Sequence, residues 1–292
     1  MSIAVLVGVH DGLVLAADSA STLVAANQPG GAHAANVYDN ANKIFNLIKG
    51  EPLGCATFGS GSIGNASIGT LIKDFRKELS VKEPEKNKYR FDVNKYTMEA
   101  VAKLLAEFLG KECDKLTLGE RVKINVGFLI AGYSTGESLG ESWGLNIIDG
   151  VPQIPHKLRD KDQAGINWGG QTEVLQRMVL GFSSQIFDVL GQVSQPPKTA
   201  EELKQTLEAL LSARLQAPLV FAPMPVQDAI DLGRFLVHSA IMFSRFLPGA
   251  QVVGGPIEIA AITKHEGFKW ISRKHYYDQS LNREPTHVTI DP

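Results

Sequence analysis

The stretch Ser2-Ile3-Ala4-Val5-Leu6-Val7-Gly8-Val9-His10-Asp11-Gly12-Leu13-Val14-Leu15-Ala16-Ala17-Asp18 decides how the rest of the chain is read. Two apolar runs flank an Asp-Gly pair, a strong short-range signal for a β-hairpin. Neither run alternates apolar with polar residues, so both faces of both strands are apolar and the hairpin should lie between two layers. A hydroxyl residue opens the first strand and a carboxylate ends the second, and chemistry is sought there.

The hairpin allows two registers. A two-residue turn at Asp11-Gly12 pairs His10 with Leu13 and Val5 with Asp18, and sends Ser2 and Asp18 to opposite faces. A three-residue loop, His10-Asp11-Gly12 with Gly12 left-handed in a bulge, sets Ala4 opposite Asp18. Ser2 then lies diagonally from Asp18 on one face, roughly 7–8 Å away at the backbone. A catalytic pairing needs this second register, and Thr22 joins the same face if the strand continues.

Composition removes several classes. A length of 292 residues with 44% hydrophobic content fits one large or two ordinary globular domains with a full core. A formal net charge of −2 gives no electrostatic support for nucleic acid or a membrane surface as partner. Cys55 and Cys113 make neither a disulfide framework nor a metal cluster, and they fit a reducing cytoplasm. The histidines are scattered without metal-ligand spacing, so no metal or cofactor is expected. No run approaches ~18 uninterrupted apolar residues, and the N-terminal run lacks the flanks of a signal peptide.

Residues 19–42, rich in Ala, Asn and Gly, read as a long loop. Strands follow at 43–48 and 53–58. The turn Gly59-Ser60-Gly61-Ser62 leads into a helix over about 63–79. Such a turn can offer backbone N–H groups to an anion, but no Gly-Lys-Ser/Thr ends it, so it is not a phosphate loop. Residues 80–96 are a charged connection, and 97–113 is an amphipathic helix with Val101, Leu104, Leu105 and Phe108 on one face. A strand at 122–133 ends in Ala131-Gly132-Tyr133, and Glu137 and Glu141 fall in an ordinary turn. A hairpin crosses Asp149-Gly150, a strand covers 164–168, and a helix covers about 172–190. Residues 192–218 look inserted, 227–246 is another amphipathic helix, and strands at 257–263 and 268–271 precede a polar tail. Helices come in pairs after groups of strands, which predicts an α+β chain with two antiparallel sheets face to face and helix pairs outside.

The N-terminal block, with Thr22 and then Asn42-Lys43-Ile44-Phe45, resembles the signature of proteasome β-subunits. Ala131-Gly132-Tyr133 and Gly254-Gly255-Pro256-Ile257-Glu258-Ile259-Ala260 resemble later blocks of that family. The resemblance covers most of the chain and suggests a bacterial relative. It implies an N-terminal nucleophile hydrolase built as a four-layer α-β-β-α sandwich. A single domain is expected over 1–272, with insertions near 23–40, 80–95 and 192–220 and a C-terminal extension at 273–292.

The family's catalytic N-terminal threonine falls on Ser2, so the resemblance implies removal of Met1, a nucleophilic Ser2 hydroxyl and its own α-amine as base. It also implies Lys43 as a neighbouring charge, Asp18 as the group that orients Lys43, Gly59 as oxyanion donor and Thr22 as a binder of substrate backbone. Two family positions differ: a serine before the third helix is replaced by Trp168-Gly169-Gly170-Gln171, and an Asp-x-x-Ser-Gly by Gly249 to Gly255. The expected activity is a threonine/serine-type peptidase acting on peptide or unfolded protein. It would work in a homo-oligomer, as a ring, double ring or open spiral, and the sequence identifies no regulatory ATPase. A catalytically silent ring-forming scaffold and a small-molecule amidase are the alternatives.

Overall fold

The computed structural model describes residues 2–25, 33–80, 88–89, 91–196, 198–249 and 251–274. The chain opens with β1 (Ile3–Val9) and β2 (Gly12–Ala17), every residue of both buried. They are the two central strands of a five-stranded sheet. On one side of them runs β13 (Gly165–Gly170); on the other run β14 (Glu258–Thr263) and β15 (Gly267–Ser272). All four pairings are antiparallel.

The second sheet is built on β6 (Leu53–Gly59) and β9 (Val126–Gly132), with β5 (Ile44–Asn46) beyond β6. Beyond β9 lies β10 (Glu141–Ile148), which pairs with the short strands β11 (Val151–Pro152) and β12 (His156–Arg159). The apolar side chains sort into separate layers. Ala4, Leu6, Leu15 and Ala17 of the first sheet form one cluster with Ala56, Leu129 and Ala131 of the second. The other face of the second sheet packs on α1 (Ile68–Leu79) and α2 (Met98–Asp114). The other face of the first sheet, through Val5, Val7 and Val14, packs on α7 (Val226–Phe246). A sheet covered on both faces needs strands apolar on both faces, and this is why β1 and β2 do not alternate.

The hairpin adopts neither expected register. Val9 pairs with Gly12 and Ala4 with Ala17, so the connection is the two residues His10-Asp11, and β2 begins at Gly12. Gly12 is not left-handed. Its place is set by a close approach instead: a Cβ there would come within 3.2 Å of the Ile262 carbonyl oxygen and a Val226 methyl. In this register Ile3, not Ala4, lies opposite Asp18, whose N–H donates to the Ile3 carbonyl.

Other expectations are corrected. The stretch 19–42 is not simply a loop: β3 (Ser21–Ala25) and β4 (His33–Tyr38) pair with each other and with no other strand. The helix expected from 63 starts at Ile68, because residues 62–67 first make a small hairpin, β7 (Ser62–Ile63) and β8 (Ala66–Ser67), and Ser67 then caps the helix. A short α3 (Leu118–Arg121) precedes β9. The helix expected over 172–190 is broken. It consists of α4 (Glu173–Leu175), a π-turn at Gln176–Leu180, a left-handed Gly181, and then α5 (Ile186–Val193). α6 (Ala200–Leu215) packs with α5 around Phe182, Phe187 and Leu203. Glu141 is no turn residue: it is buried at the start of β10 and accepts from the Ser134 hydroxyl at 2.6 Å. Most of the expected C-terminal extension lies outside the described residues, but Lys274 is described.

Phe75 of α1 is fully buried against the rings of Tyr89 and of Phe108 on α2. Phe75→Ala is expected to lower the stability of the chain by about 3–5 kcal/mol, read from urea unfolding followed by circular dichroism.

Candidate active site

Ser2 immediately precedes β1 and is buried. Its hydroxyl oxygen accepts a hydrogen bond from the N–H of Gly59, the last residue of β6, at 3.1 Å. One group belongs to the first sheet and the other to the second. Gly59 is left-handed with φ +94°, and a Cβ there would fall 2.4 Å from the Asn125 carbonyl oxygen. The next residue is pinned to the same place: Ser60 N–H donates to the Asn125 carbonyl at 2.7 Å, and Asn125 N–H donates to the Ser60 hydroxyl at 3.0 Å. Only glycine suits this position, and its N–H is aimed by its neighbours, not by chance.

Asp18 is completely buried where β2 ends. One carboxylate oxygen accepts from Ile3 N–H at 3.0 Å and from the Lys43 ammonium; the other accepts from Ala20 N–H at 3.1 Å and Gly254 N–H at 3.0 Å. A carboxylate has about four acceptor sites, so Asp18 is saturated. Lys43, just before β5, is 6% exposed. Burial pushes the Lys43 ammonium below the usual lysine range, while the adjacent Asp18 carboxylate pulls it back up. The pair is therefore an ion pair between two strands, reached by the end of β2 because the chain turns after Ala17.

Ser2, Thr22, Lys43 and Gly59 all line one cleft of about 750 Å³. Asp18 lies beneath it, in contact through Lys43. The structure thus brings Ser2, Thr22, Lys43 and Gly59 to one cleft, but not in the register that a direct pairing of Ser2 with Asp18 would need; Asp18 joins them through Lys43. Other lining residues are Lys73 and Thr70 of α1 and Lys123 and Asn125 before β9. Among the described residues, the cleft wall holds three lysines and no aspartate or glutamate.

The two positions where the sequence departs from the proteasome pattern lie against this site. Gly170 pairs with Ile3 and has φ +98°; a Cβ there would sit 1.9 Å from the Ser2 carbonyl oxygen. Gln171 N–H donates to that same carbonyl at 2.7 Å. The glycine turn thus grips the Ser2 backbone. The loop ending at Gly255 supplies Asp18 with the Gly254 N–H where the family pattern has side chains.

Two functional neighbours were missed in the sequence. Glu258, 1% exposed at the start of β14, accepts from Lys43 N–H at 3.3 Å and pairs with the Lys274 ammonium at 3.0 Å. It was visible as a lone carboxylate in an otherwise apolar strand. Lys274 also donates to the Ser19 hydroxyl at 2.7 Å, which in turn donates to the Pro256 carbonyl at 2.6 Å. No signal in the sequence singles out Lys274.

Among solved structures, the chain superposes on Anbu (ancestral beta-subunit) from Yersinia bercovieri with a TM-score of 0.53, at 13% identity over 94% of this chain and 88% of that one. Its fold is similar to that of Anbu. A second Anbu, from Hyphomicrobium sp. strain MC1, gives a TM-score of 0.54 at 15% identity over 96% of this chain and 91% of that one. The Gly-1 mutant of Anbu from that strain gives 0.53 at 14% identity, over 96% and 92%. No family model matches the sequence, and no curated protein does. At these identities the likeness to Anbu is one of fold. Among the described residues, no group of three or more His, Cys, Asp or Glu could hold a metal ion, and no helix is long and apolar enough to cross a membrane.

Removing one partner of a buried ion pair leaves the other uncompensated. Asp18→Asn is expected to cost about 3–5 kcal/mol in chemical denaturation. Adding Lys43→Met in the same chain should recover much of that loss.

Proposed function

We propose that the chain is a proteasome-like N-terminal nucleophile hydrolase, a single four-layer α-β-β-α domain that cleaves peptide amide bonds with Ser2. The observation that carries this reading is the 3.1 Å hydrogen bond from Gly59 N–H to the Ser2 hydroxyl, at the floor of a cleft that also presents Lys43. The Anbu-like fold supports it.

In this mechanism Met1 is removed and the Ser2 amine becomes free. A serine hydroxyl is a weak nucleophile at neutral pH and needs a base. An α-amine has a reference pKa near 7.7–8.0 and can take the hydroxyl proton. The Ser2 oxygen attacks the substrate carbonyl carbon, and the carbonyl oxygen becomes an oxyanion. That oxygen takes the Gly59 N–H, the donor the Ser2 hydroxyl occupies at rest. The amine proton passes to the leaving nitrogen, an ester on Ser2 remains, and water hydrolyses it back to the free hydroxyl. Lys43 supplies a fixed positive charge that biases these proton positions, and Asp18 holds Lys43. Thr22, on the cleft wall, binds substrate backbone. The lysine-rich wall favours acidic or polar side chains beside the bond cut.

Purified protein is assayed with fluorogenic peptides carrying acidic, apolar or basic residues next to the reporter, after intact mass spectrometry. The reading expects a mass lacking Met1, faster cleavage of the acidic peptides, and loss of cleavage in Ser2→Ala by at least about a hundredfold. Equal activity in wild type and Ser2→Ala overturns it. Retained Met1 with no cleavage favours the silent scaffold, and turnover of small amides alone favours an amidase.

The proposal extends to a cytoplasmic homo-oligomer, a ring or spiral that shields a generic site from folded proteins. Phe235, Phe243 and Phe246 of α7 are exposed, and an apolar helix face of this kind suits burial against another copy. Light scattering should give a mass several times 31.6 kDa, and Phe246→Asp should lower it. A monomer at all concentrations refutes the assembly.

A further inference from the structure

We propose that Glu258 and Lys274 are positioning residues for Lys43, an anion and a cation that fix its backbone and balance the charge it presents to Ser2. The inference rests on the reading of Ser2 and Lys43 just given, and goes beyond it in assigning a role to two residues to which the resemblance gives none.

The geometry is continuous. Asp18 holds the Lys43 ammonium, and Glu258 holds the Lys43 N–H through one carboxylate oxygen. The same Glu258 oxygen takes the Lys274 ammonium at 3.0 Å. Lys274 closes the circuit on Ser19, the residue after Asp18, at 2.7 Å. Glu258 sits opposite Ala17 in the sheet, so the strand register itself places it beside Asp18. Side-chain exposure is 0% for Asp18, 7% for Lys43, 2% for Glu258 and 12% for Lys274. Four charges are thus withdrawn from water together, two of each sign.

The balance has a chemical consequence. With Asp18 and Glu258 alone, Lys43 would face two carboxylates, and the nearby α-amine would sit in a net negative field that keeps it protonated. A protonated amine cannot act as base. Lys274 neutralises Glu258. With Lys274 but without Glu258, two ammonium groups would repel each other across Ser19, and Lys43 would lose its proton more readily. The charged groups acting on Lys43 are Asp18 at the end of β2, Glu258 on β14 and Lys274 after β15. Lys73 on α1 lines the same cleft, and the Ser2 amine at the head of β1 completes the set.

Any ion pair beside Lys43 shifts its titration; one that serves stability alone leaves turnover in the folded variants unchanged, and a positioning pair does not, so both are read. The full-length protein is labelled with ε-13C-lysine, and the Lys43 resonance is assigned by its loss in Lys43→Arg. Lys274→Met should move the Lys43 titration midpoint up, because a like charge is gone and Glu258 is unmasked. Glu258→Gln should move it down, because an opposite charge is gone and Lys274 is unmasked. The double variant should return toward wild type, and Lys274→Arg, which keeps the charge, should stay near it. If Glu258→Gln does not fold, the direction of Lys274→Met decides alone. No movement, or movement of both single variants in one direction, overturns the proposal. Peptide turnover is read in parallel: Lys274→Met should lower kcat by roughly ten- to a hundredfold with KM little changed, and Lys274→Arg should restore it. If Ser2→Ala keeps full activity, the hydrolase reading fails while the titration still tests the coupling, so the two failures are distinguishable.

Discussion

The buried carboxylate of Asp18 constrains everything near it. A carboxylate taken out of water without partners costs several kcal/mol, so the fold must bring donors to it from four places. They come from the first residue of β1, the turn after β2, the lysine before β5 and the glycine before β14. The farthest of them, Gly254, is 236 residues from Asp18 in sequence. None of them can move without leaving an acceptor unpaired, so the site is assembled by folding itself and does not wait for a ligand.

Much of this constraint is carried by backbone groups. Gly254 N–H reaches Asp18, Gly59 N–H reaches the Ser2 hydroxyl, and Gln171 N–H reaches the Ser2 carbonyl. The positions where the sequence lacks the family's serine and aspartate therefore still hold the Ser2 strand and Asp18. They do so through main chain, and glycine is what lets the main chain come so near. What the missing side chains would have contributed is charge and a hydroxyl, and in this chain the charge beside Lys43 comes from Glu258 and Lys274.

The parts of this arrangement legible in the sequence are those with a period. β1 and β2 were readable because uninterrupted apolar runs demand two covered faces, and α2 because Val101, Leu104, Leu105 and Phe108 recur at helical spacing; Val101, Leu105 and Phe108 are buried and Leu104 is half-buried. Register was not readable. It depends on the close approach of Ile262 and Val226 to Gly12, which is tertiary information. The broken helix after β13 escaped for a similar reason: Gly181 turns left-handed where the Leu215 carbonyl would lie 2.8 Å from a Cβ, a contact made by a segment more than thirty residues away. The β3–β4 pair escaped because the stretch 19–42 is rich in Ala, Asn and Gly and carries Pro29-Gly30-Gly31, which together read as loop. Ser2, Asp18, Lys43 and Gly59 were found through resemblance, since a serine after an initiator methionine carries almost no signal alone. Lys274 lay in a stretch read as tail, where neither composition nor spacing marks a lysine that returns to a buried glutamate.

The distance between the Ser2 hydroxyl and the N–H it meets is a property of how the two sheets pack. Ser2 rides on the first sheet and Gly59 on the second, and no covalent connection shorter than the chain from 2 to 59 links them. The layer between the sheets is rich in alanine: Ala4, Ala17 and Ala260 on one side, Ala56 and Ala131 on the other. Small side chains leave room there for larger ones in a close-packed interior. Phe58, next to Gly59, uses the room so created: its ring occupies the space that side chains at Gly127 and Gly169 would need. It therefore touches both sheets one residue from Gly59. A larger residue anywhere in that alanine layer pushes the sheets apart, and the first geometry to lengthen is the 3.1 Å contact between Gly59 and Ser2. Core volume and site geometry are, in this fold, the same variable.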